Sequence, residues 1–231
     1  MRPALGHGLA RAALAMALVA LAACSTVPEQ GNFDPKLFPP TAAAAIFDGS
    51  VALLTDPASL KQEVLGERLA DGGPVRVPIG RIVHEASLLA FGEAFAGGAL
   101  TIDDIAGAPS RQTPVAAVRV ADYAYRDRLK YLIPTFLPQL GFVIPVSQLD
   151  VRLVVEVRLL AADGTMLWSS TFDSGLQIWK QRRDSPLPIP LESRAEGLLR
   201  QTHETAVKLL RQAADDVGRW LREEQRRERQ L

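Results

Sequence analysis

Leu149-Asp150-Val151-Arg152-Leu153-Val154-Val155-Glu156-Val157-Arg158-Leu159 is the stretch that decides the fold. Leu149, Val151, Leu153, Val155, Val157 and Leu159 alternate with Arg152, Glu156 and Arg158, the period of two that gives one strand an apolar face and a charged face. Asp163-Gly164 then marks a tight hairpin turn, and Met166 to Phe172 reads as the returning partner. Upstream, from Pro114, the same alternation runs through Val118, Val120, Tyr123 and Tyr125, set among Arg119, Asp122, Arg126 and Asp127. Its phase changes near Ala121, which predicts a strand with a bulge.

Between these two strands lies Tyr131 to Leu149, an uncharged segment interrupted by Pro134, Pro138 and Pro145. Proline lacks a backbone N–H and fixes φ, which argues against an ordinary helix or a central strand. The segment is expected to connect the two strands of a long hairpin. Two readings stay open: a loop folded over the core, or an exposed apolar patch carrying Tyr131, Phe136, Leu137, Phe142 and Ile144 that docks a partner or dips into a bilayer surface.

Working outward, the spacing predicts a strand over Ser50–Thr55, a short helix over Ala58–Leu69 and a break at Asp71-Gly72-Gly73-Pro74. Ile82–Phe95 reads as a buried helix with Leu88, Phe91 and Phe95 on one face and Ile82, Ala86 and Leu89 beside it, ended by Gly97-Gly98. Ser193 and Glu196 have capping-box spacing. Behind them Leu199, Thr202, Ala206, Leu209, Leu210, Ala213, Val217 and Trp220 form a core-facing stripe. A helix over Ser193–Arg222 would be about 45 Å long and would outrun a strand of about 17–20 Å. Its end, near Trp220, is a second expected contact surface, and residues 223–231 continue as a charged helical tail.

At the other terminus, Arg2 and Arg11 precede the uncharged run Ala12–Ala23, the pattern of a secretory signal. Twelve helical residues span about 18 Å, too little for a bilayer core of about 30 Å. The run ends in Leu21-Ala22-Ala23-Cys24, which resembles the bacterial lipobox. That resemblance implies cleavage between Ala23 and Cys24, lipidation of Cys24 and acylation of its new amino terminus. Ser25 comes next, rather than Asp, which implies sorting to the outer membrane with the domain facing the periplasm. Residues 24–42, with Pro28, Gly31, Pro35, Pro39 and Pro40, read as a tether, and residues 43–222 as a single α/β domain.

Loss of residues 1–23 would leave 24 basic and 26 acidic residues, a formal charge of −2. That balance gives no footprint for a nucleic-acid partner. Cys24 is the sole cysteine, so once lipidated it leaves no disulfide and no thiolate metal site. Chemistry is thinly signalled. His84-Glu85 and His203-Glu204 start like zinc-protease helices, but Leu88 and Val207 stand where the second histidine ligand belongs. Asp103-Asp104 reads as a solvated or helix-capping pair. No catalytic residue, metal or cofactor is assigned.

The run Leu153 to Trp168, with Gly175 and the long helix after Ser193, resembles bacterial outer-membrane lipoproteins related to the curli-secretion lipoprotein domain and to the lipoprotein activators of penicillin-binding proteins. Pro78-Ile79-Gly80 leading into a buried helix fits the same group. The resemblance implies an α/β (α+β) sandwich: a mixed, largely antiparallel sheet with helices on one face and a long C-terminal helix. It implies a domain that binds proteins or assembles, with no catalytic residues. The expected role is a non-enzymatic, lipid-anchored adaptor, activator or assembly factor, partnered by another envelope protein or by its own copies. A lipid or small-molecule carrier is the alternative, and would need a cavity lined by Leu88, Phe91, Phe136 and Phe142. An envelope-polymer hydrolase is a third, and would need His84 to meet Asp103 or Asp104.

Overall fold

In the computed structural model the central strand of the sheet and its neighbour are a single long hairpin, β5 (Val115–Leu132) and β6 (Ile144–Leu160). The structure describes residues 35–40, 45–69, 74–110, 112–132, 144–180 and 194–230. These fall within one unit, Asn32–Leu231. β6 also pairs antiparallel with β7 (Met166–Asp173) and, further along, with β8 (Gln177–Lys180). On the other side, β1 (Val51–Leu54) lies parallel to β5 and to β4 (Ala99–Ile102). The order is therefore β4-β1-β5-β6-β7, a mixed and mostly antiparallel sheet. A separate two-stranded hairpin joins β2 (Val64–Arg68) to β3 (Pro74–Val77).

Parallel strands need a crossover, and β1 and β4 obtain theirs from α2 (Ile79–Ala94). α2 packs against α3 (Arg194–Glu228), a helix of 35 residues and about 52 Å. Together they cover one face of the sheet. Leu149, Leu153, Val155, Val157 and Leu159 are 0% exposed and join Phe91, Leu198 and Leu210 in one core. The opposite face carries the charged half of the alternation. There Arg152 pairs with Asp122 and Asp173, and Glu156 with Arg119 and Arg158. Exposed pairs of this kind contribute about 0–1 kcal/mol each. Burial on the helical side is the main source of stability.

Several details depart from the pattern-based expectation. The Ala58–Leu69 helix reduces to one turn, α1 (Pro57–Leu60), capped by Asp56, whose carboxylate accepts from the Ala58 N–H at 3.0 Å and the Ser59 hydroxyl at 2.9 Å. The chain then enters β2, because it must lie flat over Tyr125. A Cβ at Gly66 would sit 2.0 Å from that ring, so tertiary packing overrides local helical propensity. α2 begins three residues earlier than the apolar pattern indicates. Pro78 precedes it, and Gly80 approaches α1 so closely that a Cβ there would be 1.8 Å from the Ser59 carbonyl oxygen. Leu88 and Leu89 are only half-buried, whereas Ile82, Val83, Ala86, Ala90 and Phe91 make the seam. Phe95 is already extended and bridges to Phe47.

Other features match. The β5 register shifts between Val120 and Asp122, at the expected bulge. Gly98 has φ +77° just after α2, and Gly164 has φ +84° in the hairpin turn.

Candidate functional site

The β5–β6 arm is the larger of the two surfaces anticipated from the sequence. Its register is unbroken from Asp122 opposite Val154 to Leu132 opposite Ile144. The strands thus continue into the uncharged segment that the prolines had assigned wholly to a connection, and the connection shrinks to residues 133–143. Pro145 is accommodated opposite Tyr131. β8 pairs with β6 only from Gln148 onward, so Pro145 lies where β6 has no second partner among the described residues and a missing N–H breaks no ladder on that side. Tyr131 and Ile144 thus stand on paired strand ends. Phe136, Leu137 and Phe142 lie outside the described residues, as do Ala23, Cys24 and Ser25.

Two contacts with α3 fix how far this arm reaches. Pro114, at the foot of β5, lines the same groove as Gln225 of α3, and the Tyr123 hydroxyl lies 2.8 Å from the Thr202 hydroxyl. α3 therefore runs antiparallel to β5. From Pro114 to Tyr123 the strand climbs about 30 Å, and from Gln225 back to Thr202 the helix covers about 35 Å, so the two layers keep pace. Beyond Thr202 the helix has only about 12 Å left before Arg194, whereas β5 has about 30 Å left before Leu132. The arm outruns the helix by roughly 18 Å. The charged end of α3 is at the opposite pole. The structure therefore separates the paired strand ends at Tyr131 and Ile144 from Trp220 and the charged end of α3.

At that far pole, Trp220 and Leu221 are half-buried against the core, and Arg222, Glu223 and residues 225–230 are exposed. The helix continues to Glu228, through most of the charged helical tail expected over 223–231, aided by Arg227 to Glu224 at 3.3 Å, three residues apart. A groove of about 400 Å³ lies beside it, lined by Asp48, Ser50, Ser110, Thr113, Gln225 and Arg229 among others. Sequence patterning did not reveal this groove. It is assembled from Phe47–Ser50, the turn before β5 and the last turns of α3; nearby, Gly218 lets α3 pack close to Ile46, where a Cβ would come within 3.1 Å.

A second unforeseen feature holds the entry to the domain. Arg211 of α3 donates to both carboxylate oxygens of Glu93, at 2.8 and 2.9 Å. It also donates to the Phe38 and Pro39 carbonyls, at 3.3 and 2.8 Å. Phe38 packs on the core. Residues 35–40, read from composition as tether, are thus docked on the helical layer, and the span between Cys24 and the docked residues is shorter than residues 24–42 would allow.

The histidines occupy packed surroundings. His84 borders a cavity of about 30 Å³ with Asp56, Ser59 and Ser87, and burial lowers its pKa. Asp103 and Asp104 do not line that cavity. Asp104 instead accepts from Gly107 N–H at 2.9 Å and closes a 3-10 turn, the capping role its sequence context suggested. His203 is 8% exposed in the α2–α3 layer, and burial pushes its pKa down to about 4, against a hydrogen bond to Leu199. Burial likewise pushes the Tyr123 phenol up. Phe91 is fully buried and stacks on Phe95 at 6.0 Å between ring centres. It lines neither the His84 cavity nor the groove beside α3. Among the described residues, no group of three His, Cys, Asp or Glu side chains converges, and no helix is long and apolar enough to cross a membrane.

No protein-family model matches the chain, and no curated protein matches it. Solved structures of similar outline include an uncharacterized lipoprotein B from Nitrosomonas europaea, 12% identical, with 80% of this chain and 92% of that one covered and a TM-score of 0.38. They also include the PelC dodecamer from Paraburkholderia phytofirmans, 11% identical over 77% of this chain and 91% of that one, TM-score 0.34. Rare lipoprotein B from Shewanella oneidensis is 12% identical over 77% and 96%, TM-score 0.30.

Proposed function

We propose that this chain is a lipid-anchored lipoprotein of the bacterial cell envelope, held by Cys24 in the outer membrane with its α/β domain in the periplasm, and that it acts by binding rather than by catalysis. Leu21-Ala22-Ala23-Cys24 behind an uncharged run supports the anchor, and Ser25 supports the outer membrane as destination. The observation that carries the binding role is the β5–β6 arm. Its paired strands run about 18 Å past the first turn of α3, to Leu132 opposite Ile144, and the uncharged run 131–149 includes their far ends. Such a placement suits an adaptor or assembly factor whose partner is another envelope protein or a second copy of this chain.

Photo-crosslinking groups placed at Phe136 and Phe142 in intact cells test this reading. The expected result is one adduct of defined mass from both positions, lost when residues 133–143 are replaced by a Gly-Ser loop of equal length. Normal expression with no adduct from either position contradicts it.

A further inference from the structure

The last turns of α3 carry an exposed arginine face, one edge of which, Gln225 and Arg229, borders the groove shared with Phe47–Ser50. At 100° per residue, Arg222, Arg226 and Arg229 fall within one arc of about 60°, flanked by Gln225 and Gln230. No acidic residue between 222 and 230 shares that arc; from outside the helix, Asp48 lines the groove that Arg229 borders. Glu223, Glu224, Arg227 and Glu228 lie on the other side, which continues the line of Ala213 and Val217 toward the core. Arg222, Arg226 and Arg229 are all exposed. We infer that this arginine face rests on an anionic bilayer surface, and that it, rather than the hairpin tip, is the part of the domain that meets the membrane holding Cys24.

The inference rests on the anchoring proposed above and on chain length. From Cys24 to the docked Phe38 there are 14 residues, which span at most about 50 Å. Measured along α3 from the Arg211 clamp, Arg229 is about 27 Å away. The end of β5 is about 44 Å away in the other direction, the sum of about 13 Å of helix to Thr202 and about 30 Å of strand beyond Tyr123. The arginine pole is within easy reach of a bilayer that holds the lipid. The hairpin tip is reachable only by drawing the connecting chain nearly straight. Charge complementarity fits this occupant, since each Lys or Arg near an anionic membrane surface contributes about 1 kcal/mol; β5 also carries Arg126, Arg128 and Lys130, so it is the shorter reach that favours the α3 pole. Favourable placement of cations at a helix C-terminus explains one or two arginines in the last turn. It does not explain a further arginine, Arg222, on the same arc two turns before Arg229.

The test uses the full chain extracted from cells and reconstituted into phosphatidylcholine vesicles with or without 30% phosphatidylglycerol, read by amide hydrogen exchange. Slowing of exchange over residues 222–230 by roughly tenfold, only with phosphatidylglycerol, is expected. It should vanish in the triple variant Arg222→Gln, Arg226→Gln, Arg229→Gln and in 0.5 M salt, and persist in the corresponding triple Arg→Lys variant. No slowing at 222–230, or slowing at 133–143 in its place, overturns the inference. The mass at Cys24 is read from the same sample. An unmodified thiol sinks the anchoring reading alone, and the exchange data then still decide the arginine face.

Discussion

The two ends of this molecule are built from opposite materials. At one, two strands hold each other by backbone pairing and carry an uncharged, proline-broken segment. At the other, a single helix extends past the sheet and carries arginine and glutamate. Backbone pairing holds two strands in register, and side-chain pairs three residues apart help to keep an exposed helix end wound. Neither end needs to contribute to the stability of the middle, where Leu153, Val155, Val157 and Leu210 are fully buried. The difference teaches that the buried middle carries the stability, and that neither the strand ends nor the helix end is built into it.

The separation is open to direct challenge. The largest effect should come from the middle. Gly80→Ala drives a Cβ into the Ser59 carbonyl, and we expect a loss of about 3 kcal/mol, read as a Tm fall of about 10 °C. A fall of under 2 °C would mean that α1 and α2 are free to part.

Acid should weaken the same layer. His203 has its pKa lowered from 6.5 to about 4 by burial, so the folded state disfavours the charged form. That contribution to stability is fully present above pH 6.5 and is lost as pH falls from 6.5 through 4, by about 3 kcal/mol. Chemical denaturation across that window should show the slope, and His203→Gln should flatten it.

Next in size, Arg211→Ala removes the bidentate pair with Glu93 and releases the Phe38 and Pro39 carbonyls. A loss of about 1–2 kcal/mol is expected, together with faster hydrogen exchange at residues 35–40. Loss of stability without faster exchange there would show that the docked entry segment is held by something other than the clamp.

The smallest effect should come from the ends. Truncation after Leu221, or replacement of residues 133–143 by Gly-Ser, should each change stability by under about 0.5 kcal/mol. A larger change from either would break the contrast between middle and ends.

Part of this architecture is legible in the residues, and the reason differs by element. β6 is readable because its two faces meet opposite environments, so burial writes itself into every second residue. β2, β4 and β8 are short, and their residues are chosen by distant contacts. Gly66 answers to Tyr125, and Leu100 on the edge strand β4 is 46% exposed, so no period marks them. The apolar stripe of α3 shows its core face but not its end, because Arg227 and Glu224 extend the helix after the stripe stops. The arm was half visible. The absence of charge from Tyr131 to Leu149 marked the segment, while its prolines hid the strand ends within it. The Arg211 clamp left no local signal, since its partner Glu93 lies 118 residues away.

The central claim is an anchor at Cys24 behind a domain that works by contact, and intact mass spectrometry of the native protein extracted from membranes tests it most directly. The account predicts a polypeptide beginning at Cys24, with residues 1–23 gone and the added mass of fatty chains on that residue. A polypeptide carrying a free Cys24 thiol would contradict it.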